Sequence, residues 1–252
     1  LPRITTVINQ KGGVGKTTTA HALVTGLTKE GRKVLAVDAD PQGNLSFTMG
    51  ADVSAKGLYE ALREEVSITD VIQKTEDGDI LPSTLLLAAA DMEFTGTGRE
   101  WLLTGIFQYI AEEYTHIIID SPPTLGILTV NALTASTDVV IPMGADIYSL
   151  QGLYQLYSTI GKVKKFCNRE IIISGLLLTR YNSRFILSRD ITEGIENKAG
   201  ELEANLFNAK IREGVSVKEA QTQQMSLFKY APLSNPAQDY EEFLQEYLKQ
   251  ES

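Results

Sequence analysis

Lys11-Gly-Gly-Val-Gly-Lys-Thr-Thr-Thr19 decides the fold of this chain. An apolar, β-branched segment, Ile4 to Ile8, precedes it, and a helix-compatible segment, Thr17 to Glu30, follows. Strand, glycine loop and helix in that order make a cradle for a nucleotide phosphate. The glycines let backbone N–H groups turn onto an anion, and the helix points its positive end at the same spot. Gly12, Gly13, Val14, Gly15, Lys16, Thr17 and Thr18 are then the cradle. Lys16 is expected to reach the β- and γ-phosphates, and the Thr17 hydroxyl to ligate Mg²⁺. The common pattern G-x-x-x-x-G-K-[ST] would place glycine where Gln10 stands, and this loop carries a second cation instead, Lys11. Lys11 is either a solvated loop lysine or a charge that reaches phosphate in the partner subunit of a dimer.

A chain of 252 residues, 43% apolar, suits one large α/β domain with a full core, expected to span residues 1–252. Its net charge of −9 excludes a protein that coats nucleic acid with its whole surface. A local basic patch is still compatible: Gln151 to Ala220 holds 11 Lys/Arg against 8 Asp/Glu. The single cysteine, Cys167, allows no intramolecular disulfide or Cys-rich metal site, and His21 and His116 are too far apart to suggest zinc. No apolar run reaches bilayer length and nothing at the N-terminus reads as a signal peptide, so a cytoplasmic protein is expected.

Strand-like and helix-like runs alternate, which predicts an α/β fold: a doubly wound, mostly parallel sheet flanked by helices. Strands are predicted at Ile4–Asn9, Lys33–Asp38, Asp79–Pro82, His116–Asp120, Asp138–Pro142, Ile171–Thr179 and, shorter, Leu206–Ile211. Helices are predicted at Lys16–Glu30, Gly57–Arg63, Ser67–Ile72, Met92–Glu113, Thr129–Ala135, Leu150–Phe166, Asp190–Asn197 and Asp239–Lys249.

Two strands end in carboxylates, where a parallel sheet opens its ligand crevice. The first gives Asp38-Ala-Asp40-Pro-Gln-Gly-Asn44. Asp38 suits a Mg²⁺ shell and Asp40 the orientation of an attacking water; the competing reading is a turn with Asp as its cap. The second, His116-Ile-Ile-Ile-Asp120-Ser-Pro-Pro123, places Asp120 to hold a metal water or accept from Thr17, with a buried strand ending in a turn as the alternative. A base pocket is less legible. Asn182, in Thr179-Arg-Tyr-Asn182, and the backbone at Ile211, Arg212 and Glu213 are the candidates, although Asn and Tyr after a strand also serve as plain turn residues.

Together these segments resemble the ParA/MinD family of deviant Walker A ATPases of the P-loop NTPase fold, and more closely its ParA branch. Asn9-Gln-Lys-Gly-Gly-Val-Gly-Lys-Thr-Thr-Thr19 resembles the family's phosphate loop, and Val37-Asp-Ala-Asp-Pro-Gln-Gly-Asn44 its second motif. Ile80-Leu-Pro-Ser-Thr-Leu-Leu-Leu-Ala-Ala-Ala90 is similar to its "IPSN…LAxAE" stretch, and Ile117 to Pro123 to its Walker B. The resemblance implies ATP and Mg²⁺ as cofactors and a sandwich homodimer formed with ATP. It makes Lys11 the signature lysine that crosses to the other subunit, alongside Lys16 and the hydrolytic Asp40, with Gly12 where a side chain would hinder closure. It also implies non-specific DNA binding on the nucleoid, and slow hydrolysis stimulated by a ParB-like or other centromere-binding partner, so that a plasmid or chromosome is partitioned.

Within Ile211-Arg-Glu-Gly-Val-Ser-Val-Lys-Glu-Ala-Gln-Thr222, the chain departs from the family's "IPRNVRLSEAPS". Ser216 replaces a basic residue implicated in DNA contact, Arg212 replaces the proline, and Lys218 is displaced; Arg184 matches a family arginine. Arg184, Arg189 and Lys218 are the expected DNA contacts. The alternative within the family is a MinD-like ATPase that positions a cargo on a membrane or other scaffold. Such relatives end in a basic amphipathic helix, whereas Asp239 to Ser252 carries five Asp/Glu and one Lys, so no membrane partner is expected. An electron-transfer relative would need two cysteines per subunit for a bridging cluster.

Overall fold

The computed structural model describes residues 1–181, 194–196, 199–200 and 204–251. Strands β1 (Arg3–Val7), β2 (Val34–Asp38), β3 (Gln73–Thr75), β4 (Gly78–Leu81), β5 (His116–Asp120), β6 (Asp138–Gly144), β7 (Ile172–Tyr181) and β8 (Leu206–Arg212) form one sheet. Their order is β3-β4-β2-β5-β1-β6-β7-β8. All neighbours run parallel except the edge hairpin β3–β4.

Alternation of side chains sorts the central strands between two faces. In β5, Ile118 joins the core under helix α1 (Lys16–Lys29), while Ile117 and Ile119 join the core under the helices Leu58–Leu62 and Ile127–Ala135. The central strands β2 and β5 are buried at every position, which is why they read as unbroken apolar runs. The C-terminal helix Asn235–Lys249 packs on α1. A Cβ at Gly26 would come within 2.6 Å of the Leu244 Cδ2 methyl, so a larger residue here would make that side chain shift.

The structure departs from several of these expectations. The helix predicted at Met92–Glu113 is broken into Ala90–Glu93, a 3-10 turn at Arg99–Trp101 and Leu102–Phe107. Gly98 at φ 84 and its neighbour Gly96 interrupt it. Strand β3 was not predicted, because three polar edge residues carry no apolar alternation. Helices Asn44–Thr48 and Val215–Thr222 were also missed: the first is a single turn behind a glycine, and the second buries only Ala220. The last helix starts at Asn235 rather than Asp239, since the Ser234 side chain accepts from Ala237 N–H and Pro236 fits the first turn. The predicted helix Asp190–Asn197 lies largely outside the described residues.

Candidate nucleotide site

Strand register assembles the site. Val7, the last residue of β1, pairs with Asp120, and Asp120 pairs with Asp38. The phosphate loop and both carboxylates therefore leave three adjacent strands at one level, about 5 Å apart. The loop turns through Gly13 (φ 73) and Gly15 (φ 80), left-handed positions that suit glycine. Gly15 caps α1 without a side chain, so the first helical N–H groups remain directed at the loop. The Thr179 hydroxyl donates to the Val14 carbonyl at 2.8 Å, tying the loop to β7, and Gln221 Nε2 donates to Thr18 Oγ1 at 3.2 Å.

These elements enclose a cavity of about 740 Å³. Gly12, Gly13, Gly15, Lys16, Thr17, Thr18 and Asp40 line one end, and Ile211, Arg212, Glu213 and Lys218 the other. Val14 is buried beneath the loop. The Arg212 guanidinium is committed to Asp239, at 2.6 Å, so this residue offers the cavity its backbone rather than a free charge. Lys218, an expected DNA contact, is exposed and stands on the wall of this cavity. Asn182, Arg184 and Arg189 lie outside the described residues.

Lys16 is only 8% exposed. Burial lowers the pKa of its ammonium, against the opposing pull of Asp120 and Asp40. Asp120 is fully buried, and neither of its oxygens has a partner at hydrogen-bond geometry. Burial, then the Asp38 charge, pushes its pKa well up; the nearby Thr17 hydroxyl and Lys16 ammonium oppose this without completing a bond. Two unpartnered oxygens beside a hydroxyl fit a hydrated divalent cation, as the sequence suggested.

Asp38 is differently engaged. It accepts from Ser46 N–H and Ser46 Oγ–H, both at 2.7 Å, and from Asp40 N–H at 3.2 Å. It thus ties β2 to the helix Asn44–Thr48, and any metal role comes after that structural one. Asp40 also holds a turn, accepting from Gln42 N–H at 3.0 Å, while it lines the cavity. The turn reading and the site reading of this motif therefore coexist.

Burial raises the Asp38 pKa to about 6 despite these hydrogen bonds. The folded protein then retains a proton that the unfolded chain releases, so stability falls as pH rises from 3.8 to about 6. The full penalty is on the order of 1 to 3 kcal/mol. Asp38→Asn, which removes one acceptor from this network, is expected to shift the urea midpoint more favourably at pH 7 than at pH 5. Equal changes at both pH values would contradict this.

Sequence reasoning missed Asp146. Its carboxylate pairs with the Lys11 ammonium at 2.7 Å and accepts from Ser149 N–H at the start of the helix Ile147–Phe166. The available signal was Asp146-Ile-Tyr-Ser149, an N-cap followed by a helical run. Lys11, unlike Lys16, is not among the residues lining its own cavity.

The sequence profile of the family described as "AAA domain" matches residues 2–173. The chain is 38% identical to the sporulation initiation inhibitor protein Soj of Bacillus subtilis (strain 168), over 94% of this chain and 95% of that one. It is 35% identical to the chromosome partitioning protein ParA of Myxococcus xanthus (strain DK1622), covering 99% and 89%. The chain belongs to the ParA/MinD family of P-loop ATPases. A solved structure, cobyrinic acid a,c-diamide synthase from Mycobacterium smegmatis with a bound ATP analog and magnesium, superposes with a TM-score of 0.87 at 32% identity, covering 99% and 96%. Membership in the ParA/MinD family accounts for the loop with its two lysines, for the acidic ends of β2 and β5, and for the mostly parallel sheet. Among the described residues, no helix is long and apolar enough to cross a membrane.

Proposed function

We propose that this ParA-type ATPase is a nucleotide switch for partitioning DNA, working as one domain across residues 1–252. ATP with Mg²⁺ drives two copies together, the dimer binds DNA without sequence preference, and hydrolysis releases it. The partners are a second copy, non-specific DNA and a ParB-like or other centromere-binding stimulator, and the site of action is the cytoplasm at the nucleoid.

The observation that carries this reading is the placement of Lys11 outside its own cavity, 42% exposed and held by Asp146. A second cation in a phosphate loop that does not face its own phosphates is matched to those of another copy. Gly12 agrees: a Cβ there would meet nothing within 4 Å, and its φ is not left-handed, so space within the chain does not demand glycine.

Lys16 and the N–H groups at the start of α1 would bind and orient the triphosphate. Thr17 and Asp120 would hold the cation, which supplies charge neutralisation at the phosphates when bound. Asp40 would orient water at the cavity wall. Asn182 and the backbone at Ile211 and Arg212 are the proposed base contacts, and Arg184, Arg189 and Lys218 the proposed DNA contacts.

Dimer closure requires Lys11 to leave Asp146. Half-exposed pairs contribute about 0.2–1 kcal/mol. Asp146→Asn is therefore expected to lower the ATP concentration for half-maximal dimerisation by a few-fold, measured by light scattering; an unchanged or higher value would contradict the latch. The reading as a whole is tested by retention on non-specific DNA. Binding is expected only with ATP, falling steeply with salt as released counterions dictate. No ATP-dependent retention at low salt would contradict it.

A further inference from the structure

Ser83 is not among the residues lining the cavity, yet its side chain reaches the catalytic turn from behind. Strand β4 pairs with β2 in the register Leu81 to Val37, so Ser83 leaves the sheet beside the turn that carries Asp40. The helix Leu58–Leu62 fixes the same segment, because Leu58 N–H donates to the Pro82 carbonyl at 2.9 Å. A Cβ at Gly57 would come within 2.4 Å of that carbonyl oxygen, so a larger residue there would displace Pro82.

Ser83 is 1% exposed. Its Oγ–H donates to the Asp40 carbonyl at 2.7 Å, and its N–H donates to Ser46 Oγ at 2.9 Å. Ser46 Oγ–H donates in turn to one Asp38 oxygen, and Asp40 N–H donates to the other. Asp38, Ser46, Ser83 and Asp40 therefore close a ring of hydrogen bonds, and all four are buried. The turn's own bonds are Gly43 N–H to the Asp40 carbonyl at 2.9 Å and Gln42 N–H to the Asp40 carboxylate at 3.0 Å. Those two shape the turn, whereas the Ser83 hydroxyl joins it to the end of β4, 43 residues away in sequence.

We propose that Ser83 is a positioning residue for hydrolysis, fixing where the Asp40 carboxylate meets the attacking water; this rests on the reading of Asp40 as the water-orienting group. Placement acts steeply on rate, since a shift of about 1 Å costs up to roughly a hundredfold. A group that orients water without holding phosphate can shift with little change in nucleotide affinity, so Ser83 acts on kcat rather than on binding. Alanine at this position keeps the N–H donated to Ser46, so the partners of Asp38 remain. The Asp40 carbonyl keeps Gly43 N–H, so no buried group is orphaned.

Steady-state phosphate release by the full chain with Mg²⁺ and ATP tests this, together with binding of a non-hydrolysable ATP analogue. Ser83→Ala is expected to lower kcat about ten- to a hundredfold, with KM, analogue affinity and analogue-driven dimerisation within about twofold of the parent. Ser83→Thr restores the hydroxyl and is expected to recover most of kcat. Should the alanine variant fail to fold, Ser83→Cys keeps the shape with a weaker donor and is expected to show the same split. In an Asp40→Asn background the Ser83 substitution is expected to lower kcat no further, a coupling that general damage to the fold would not produce. Parental kcat in the Ser83 variant, an equal loss of nucleotide binding, or an undiminished effect on top of Asp40→Asn would overturn the proposal and leave the Asp40 role standing. Parental turnover in Asp40→Asn itself would overturn both.

Discussion

Lys16→Ala is expected to abolish both ATP-dependent dimerisation and turnover, because it removes nucleotide binding and chemistry together. The ammonium is nearly buried, and burial alone disfavours its charge. What keeps it charged is Asp120 and Asp40, and what it gains on nucleotide binding is a phosphate partner in a water-poor site. Such a charge-assisted contact contributes about 3–4 kcal/mol, or roughly a hundred- to a thousandfold. Alanine also removes the Lys16 ammonium that opposes the upward push on the Asp120 pKa, which weakens any metal site there. Equilibrium binding of a fluorescent ATP analogue and steady-state phosphate release check this. Retention of either within a few-fold of the parent would remove Lys16 from its assigned role.

Asp40 carries the second large effect, and it separates chemistry from binding. Asp40→Ala is expected to lower turnover about a hundred- to ten-thousandfold, the usual share of a positioned carboxylate, while the ATP dimer still forms and persists. Alanine also removes the acceptor for Gln42 N–H. Asp40→Asn keeps that acceptor and alters only the charge, so the two variants together distinguish a damaged turn from a missing catalytic group. Parental turnover in Asp40→Asn with a stimulator present would contradict the role.

Much of the site was legible because its residues sit in contiguous motifs at strand ends. Gly13, Gly15 and Lys16 follow β1, Asp38 and Asp40 end or follow β2, and Asp120 ends β5. Apolar β-branched runs locate parallel strands, and strand ends locate the crevice. What was not legible depends on contacts distant in sequence. Nothing near Asp38 announces that Ser46 occupies both its bonds to that helix, and nothing near Lys11 points 135 residues ahead to Asp146. Lys218 is exposed, and that it also stands on the cavity wall depends on the helix Val215–Thr222 reaching the start of α1, where Gln221 donates to Thr18. The broken helix at Met92–Glu113 shows the converse: Gly96 and Gly98 were visible in the sequence, but apolar periodicity on either side outweighed them in the reading.

The dimer switch rests on Lys11 leaving Asp146 for a neighbour's phosphates. Multi-angle light scattering of the parent and of Lys11→Ala, each with ADP and with a non-hydrolysable ATP analogue, tests it most directly. The expected result is a doubled mass only for the parent with the triphosphate analogue. A parent that stays monomeric at saturating analogue, or a Lys11→Ala variant that dimerises as readily as the parent, would contradict it.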